Sequence, residues 1–459
     1  VQRDLTATYG KWTRRYLWDR NYSETRKPEV PSAIIETLSH QNFADMRRAL
    51  DPNFRFTLAR SLYKTILRYV NGNHSLACVV QPLPVSNFRI VRTADNQLQL
   101  SWLPVTDRLE PSAVPTTYNI YIAEGKNGFD NGRSVSSTSF TFTPKPNVVY
   151  QFRVTAVNRG GESFPSTTLA ACVSAQAGAR DVLVVDGFTR LAGPAVVDDG
   201  TRQGFDLDTD MGVSLGINAG FVGRQIDFDR TRVGSEGPGA LGYCEDELAG
   251  KFVMGKQQNE SVCHVADIAL SGAYNVVSSS VEAVENGFVK LENYRVVDIM
   301  FGLQKDDGYS LVRYKTFSAL LRKALESYVR GNGRVFVSGA YVASDMQLDA
   351  ERSFMSNLFK VGFGGQNTNI STNLVDGLGI SFDIIRRPND RHYAAQSVDV
   401  VSPLAPAFCA MRYADGTDAA VAYDGIDHKA FVMGFPVECI NNVRSRQQVM
   451  KAVMTFLAK

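Results

Sequence analysis

Val30-Pro31-Ser32-Ala33-Ile34-Ile35-Glu36-Thr37 is the stretch on which the reading of the chain turns. Pro31 cannot donate to a β-ladder, which suits the first position of a strand. Ala33, Ile34 and Ile35 form a short apolar run of the kind that parallel sheets cover on both faces. The pattern predicts a buried strand with Glu36 at its C-terminal end, where open α/β sheets hold their ligands. A carboxylate there has two readings: a salt-bridged or helix-capping Glu, or a general base whose pKa can be tuned. The polar loop Leu38 to Asn42 follows, and Asn42 is the expected N-cap of a helix starting at Phe43. Asp51-Pro52 breaks that helix. Phe56, Leu58, Ala59, Leu62, Tyr63, Ile66, Leu67 and Val70 then recur at three- and four-residue steps, predicting a second helix from about Asn53 to Val70.

This strand, loop and helix pair resembles the closing segment of the zinc-dependent N-acetylmuramoyl-L-alanine amidases. Pro31, Ala33, Ile34, Ile35, Glu36, Ser39 and Asn42 carry the resemblance. It implies that Glu36 is the catalytic general acid/base, that zinc is the cofactor, and that the substrate is the peptidoglycan amide between muramic acid and peptide. The loop is longer than the family's and carries His40. The family's metal ligands, two His and one Glu, lie upstream of this segment and have no counterpart here. His40 and His74 are poorly placed to rebuild such a site, so the chain by itself is expected to be inactive or weak.

Bulk properties bound the rest. A length of 459 residues suggests about three domains. A hydrophobic content of 44% with 21% charged residues is that of a folded protein. The net charge of +2 leaves no footprint for nucleic acid or an anionic membrane. No apolar run reaches the roughly eighteen residues of a transmembrane helix. No signal peptide opens the chain, and Val1 to Leu5 reads as the middle of a helix, which fits a fragment or processed form. Cys78, Cys172, Cys244, Cys263, Cys409 and Cys439 make no CxxC pair, which argues against a structural zinc cluster. Cys78 and Cys172 flank the second domain and are read either as buried free thiols or as a bridge in an oxidising compartment.

Residues 1–29 are rich in Arg, Tyr and Trp: Tyr9, Trp12, Tyr16, Trp18 and Tyr22, among Arg14, Arg15, Arg20 and Arg26. Such residues form a substrate-facing surface, with rings stacked on sugars and Arg paired with carboxylates, or they pack the segment onto its own domain. Trp18, Arg20 and Tyr22, with Asn42, are the candidate substrate-binding residues. Short alternating strands and turns then run from residue 79 to about 175, which argues a β-sandwich. Leu100-Ser101-Trp102, Tyr118-x-x-Tyr121, the run Tyr150 to Asn158 and Gly160-Gly161-Glu162-Ser163 resemble a fibronectin type III module. Trp102 is expected between its sheets, and the module's expected role is that of a spacer fixing the geometry of its neighbours.

Residues 176–459 alternate strands with helices. Asp181 to Gly187, Tyr294 to Leu303, Gly333 to Gly339 and Ala430 to Pro436 read as buried strands, with helices near Thr316 to Arg330 and Val443 to Leu457. This predicts a doubly wound domain of the flavodoxin-like or glutamine-amidotransferase-like class. It lacks the nucleophile elbow and dinucleotide loop that chemistry there would need, so it is read as non-catalytic. Phe205 to Gly212 has acids at alternate positions but not the spacing of a calcium loop, and is read as a solvated acidic turn. Cys263-His264, placed on a strand, is read as chance adjacency. Residues 192–260, rich in Gly and Asp, are expected to decorate the strand ends.

The fold class is therefore multidomain: an amidase-like α/β fragment, an all-β sandwich and a doubly wound α/β domain. The arrangement resembles secreted bacterial proteins labelled xanthan lyase or N-acetylmuramoyl-L-alanine amidase, which implies an extracytoplasmic protein with peptidoglycan or another cell-surface glycan as partner. A non-enzymatic glycan-binding or scaffold protein and a polysaccharide lyase remain the alternatives.

Overall fold

The computed structural model describes every residue except 201, 220–224, 226, 227 and 229. Those positions, which belong to the Gly- and Asp-rich segment expected at the strand ends, lie outside the described residues. The chain divides into two compact units. One comprises 1–78, 191–207 and 220–250; the other comprises 79–190, 208–219 and 251–459.

The first unit is mainly helical. Helix α1 (Gln2–Tyr9) precedes a stretch whose regular structure is one helical turn at Ser23–Arg26. Helix α2 (Phe43–Ala49) begins where Asn42 caps it: Oδ1 accepts from the Asp45 amide at 3.2 Å. Helix α3 (Pro52–Asn73) starts one residue after Asp51, whose carboxylate accepts from the Asn53 amide, with Pro52 at the first position. Its buried residues are Phe54, Ser61 and Lys64, not the predicted apolar stripe. Lys64 instead enters the interior to pair with Asp4 at 2.5 Å.

In the second unit, residues 79–175 form a two-sheet sandwich. One sheet holds Ser86–Arg92, Leu98–Leu103 and Ser139–Phe142; the other is built on Thr117–Glu124 and Tyr150–Asn158. Trp102 lies between them, 1% exposed, edge-on to Tyr118.

The mixed α/β part that follows is centred on five parallel strands: β1 (Arg180–Asp186), β2 (Tyr274–Ser280), β3 (Val296–Gly302), β4 (Arg334–Gly339) and β5 (Lys429–Met433). Their order is β2-β1-β3-β4-β5, and antiparallel strands extend the sheet beyond β5. Val is the commonest residue in these strands, which are covered on both faces. Helix α4 (Ser261–Ala269) packs with the last helix α7 (Val443–Ala458), while α5 (Val281–Glu285) packs with α6 (Ala319–Arg330).

Sandwich and α/β part share one sheet. Strand Ser86–Arg92 pairs antiparallel with β2 at Arg89 and Ser279. Cys172 and Val276 exchange two backbone hydrogen bonds of 2.8 Å, and Ser278 Oγ donates to Ala170 O at 2.7 Å. Arg92 grips Asp181 through two nitrogens, at 2.8 and 2.7 Å. All six cysteines are free thiols, Cys78 and Cys172 included.

Candidate functional site

The predicted strand over residues 30–37 does not form. The segment has no ladder, and every one of its residues is exposed, Glu36 included. A strand requires a partner, and among the described residues of this unit the only ladder joins Ala195–Asp198 to Gln203–Asp206. Ile34 and Ile35 consequently stand 48% and 50% exposed, so the local pattern of a buried strand is present without its sheet. Asn42 acts as the helix cap described above. His40 is exposed and His74 is the exposed C-cap of α3. Among the described residues no group of three His, Cys, Asp or Glu is arranged to hold a metal. The described residues do not fit a zinc site.

The aromatic segment splits between its two readings. Tyr9 and Trp12 pack on Phe54, with ring centroids 5.4 and 5.5 Å away, and anchor the segment to α3. Tyr16, Trp18 and Tyr22 do not follow them inward: they are 88%, 64% and 50% exposed. The Arg20 guanidinium lies 4.3 Å over the Trp18 ring.

A second cluster, missed in the sequence, lies inside the α/β part. His264 is not on a strand; it sits on α4 and points into the protein, fully buried. Its Nδ1 lies 2.7 Å from Asp298 Oδ2 on β3, and its Nε2 lies 3.2 Å from Glu438 Oε2 just beyond β5. Tyr393 donates to Glu438 Oε1 at 2.6 Å. Burial alone would lower the imidazole's pKa, but the two carboxylates outweigh it and hold His264 well above its usual range. Burial likewise opposes ionisation of Glu438, yet hydrogen bonds from His264 and Tyr393 pull its pKa down. At Asp298 burial wins and the carboxyl is pushed up. Acid, imidazole and acid in series is an arrangement that moves protons in enzymes. Here every member is sealed from solvent, so the cluster ties α4, β3 and the turn after β5 together.

Further charged groups line the carboxyl ends of the parallel strands. Asp210 is 3% exposed and accepts from Arg190 and Lys305, each at 2.7 Å, which corrects the reading of this turn as solvated. Asp399 accepts from the Ala343 and Ser344 amides at 2.7 and 2.8 Å through Oδ2, while burial pushes its carboxyl up to about 6. The ends of β1 and β3 are closed: Phe188 is fully buried against Gly302.

Comparison with known proteins reaches the sandwich. No curated protein matches the chain. Among solved structures, a human fourth FNIII domain is 23% identical, covering 22% of this chain and 87% of that one, with a TM-score of 0.20. The FN5 domain of Drosophila Lar is 20% identical, covering 20% of this chain and 96% of that one, with a TM-score of 0.16. The family model of the fibronectin type III domain matches residues 83–171, and that stretch of the second unit is a fibronectin type III domain.

Proposed function

We propose that this chain is a secreted, non-catalytic glycan-binding and scaffold part of a cell-wall-active protein, working outside the cytoplasm. The observation that supports it is the shared sheet. The fibronectin type III domain is joined to the α/β part by a strand pairing, a backbone bridge and the Arg92–Asp181 ion pair, so the module works as a stiff mount rather than a loose linker. The α/β part is read as a doubly wound, flavodoxin-like domain, a reading that its strand order β2-β1-β3-β4-β5 supports. Its carboxyl edge is occupied by buried ion pairs and Phe188, which supports a structural rather than catalytic role. The test is co-sedimentation of the 459-residue chain with purified peptidoglycan sacculi. The reading requires saturable retention without added zinc; a chain that stays in the supernatant refutes it.

A second reading keeps the enzyme. The Asn42-capped helix pair α2 and α3 falls where the amidase resemblance puts it. On this reading the parent protein is a zinc-dependent N-acetylmuramoyl-L-alanine amidase, Glu36 is its general acid/base, and zinc is held by residues other than those described here. Its test is release of peptide amines from sacculi.

A further inference from the structure

We propose that Tyr16, Trp18, Arg20 and Tyr22 form a binding platform for a glycan that carries carboxylate groups. The inference rests on the glycan-directed reading above and deepens it by assigning the site and the ligand's charge. Three observations support it. The rings are exposed although the same segment has an apolar anchor available: Tyr9 and Trp12 use Phe54, while Tyr16, Trp18 and Tyr22 remain 88%, 64% and 50% exposed. Arg20 lies 4.3 Å over the Trp18 ring, which puts a planar apolar surface and a guanidinium side by side. Tyr16, Trp18, Arg20 and Tyr22 lie together in a short stretch with neither helix nor strand.

Charge selects the kind of glycan. Residues 1–78 hold thirteen Lys and Arg against seven Asp and Glu, a local net charge of +6 in a chain whose total is +2. Over residues 11–27 six basic residues face two acidic ones. A neutral polysaccharide would need the rings alone. A polymer with a carboxylate on each repeat, whether a uronic acid or the lactyl-peptide arm of muramic acid, also pairs with Arg14, Arg15 and Arg20, all exposed.

The chain contains three tryptophans, and this makes the test direct. Trp102 is buried, and Trp12 is partly buried on Phe54, so acrylamide quenching reports mainly on Trp18. The intact chain is titrated with polygalacturonate, with soluble peptidoglycan fragments and with a neutral β-glucan, and binding is followed in parallel by affinity electrophoresis. Protection of Trp18 and retardation by the carboxylated polymers, weakened by salt, are expected. Which of the two carboxylated polymers binds more tightly identifies the source of the acid. Trp18→Ala and Arg20→Ala should each weaken binding by about tenfold. Equal retardation by the neutral glucan, or undiminished binding by the Trp18→Ala/Arg20→Ala double variant, overturns the proposal. Retention on sacculi that survives the double variant would leave the glycan-directed reading standing and remove only this site.

Discussion

Replacing His264 by Ala leaves the Asp298 and Glu438 carboxylates buried, facing each other, without the cation between them. The imidazole now lies 2.7 Å from one and 3.2 Å from the other, and all three residues are at most 3% exposed. Removing one member of a buried ion pair typically costs about 3–5 kcal/mol, because the remaining charge is desolvated and unpaired. At about 2.1 cal/mol/K of unfolding entropy per residue, a unit of this size shifts by roughly 1.4 °C per kcal/mol, so the melting temperature of the second unit should fall by about 4–7 °C. Tyr393→Phe keeps the ion pair and removes only the 2.6 Å hydrogen bond to Glu438, which is worth about 1.5–3 kcal/mol. The order His264→Ala, then Tyr393→Phe, then the native chain should appear in thermal unfolding followed by circular dichroism. The raised pKa of His264 means that its contribution is complete below the ordinary imidazole range and is lost as pH rises through the folded value. The lowered pKa of Glu438 makes its contribution complete above the ordinary carboxylate range and lost as pH falls through its folded value. The gap between native and variant should therefore be widest near pH 5–6.5 and narrow on both sides. A His264→Ala protein within about 0.5 kcal/mol of native, or a gap that widens towards alkaline pH, would refute the reasoning.

Two further outcomes follow from the carboxyl edge of the sheet. Asp399→Asn keeps an oxygen for the Ala343 and Ser344 amides and removes a carboxyl whose pKa burial has raised to about 6, so the variant should equal or exceed the native protein in urea resistance above pH 6 and lose that advantage near pH 4. Gly302 has φ +50° and a Cβ there would lie 2.5 Å from the Phe188 ring, so Gly302→Ala should cost about 1–3 kcal/mol, read as a shift in urea midpoint with unchanged slope.

Local pattern was legible where the partner lay nearby in sequence or was itself patterned. The sandwich strands at 98–103, 117–124 and 150–158 and the buried Trp102 follow from alternation and the turns between strands. The runs leading to β1, β3, β4 and β5 were legible because continuous Val-rich segments suit a doubly covered sheet. Val30 to Thr37 has the same texture and fails, because an apolar run states a preference but not the presence of a ladder to join. The stripe on α3 misleads for a related reason: Phe56, Ile66 and Val70 have helical spacing yet stay 42–63% exposed, while Lys64 is buried by its pairing with Asp4. The His264 cluster was invisible because its members, at 264, 298, 393 and 438, converge only through the crossovers of the sheet. Val-Cys-His-Val-Ala-Asp-Ile-Ala at 262–269 carried the missed signal, with apolar residues at helical steps that put His264 and Ile268 on one inward face. The Arg190–Asp210–Lys305 group was hidden in the same way, by loops after β1 and β3 that meet only in space.

The most direct test of the account is release of free peptide amines from sacculi by the 459-residue chain, with and without added zinc, on samples already shown to bind. The non-catalytic reading predicts retention with no release above background and no change on Glu36→Ala. Zinc-dependent release that Glu36→Ala abolishes would contradict it and put the exposed segment around Glu36 at the centre of an amidase.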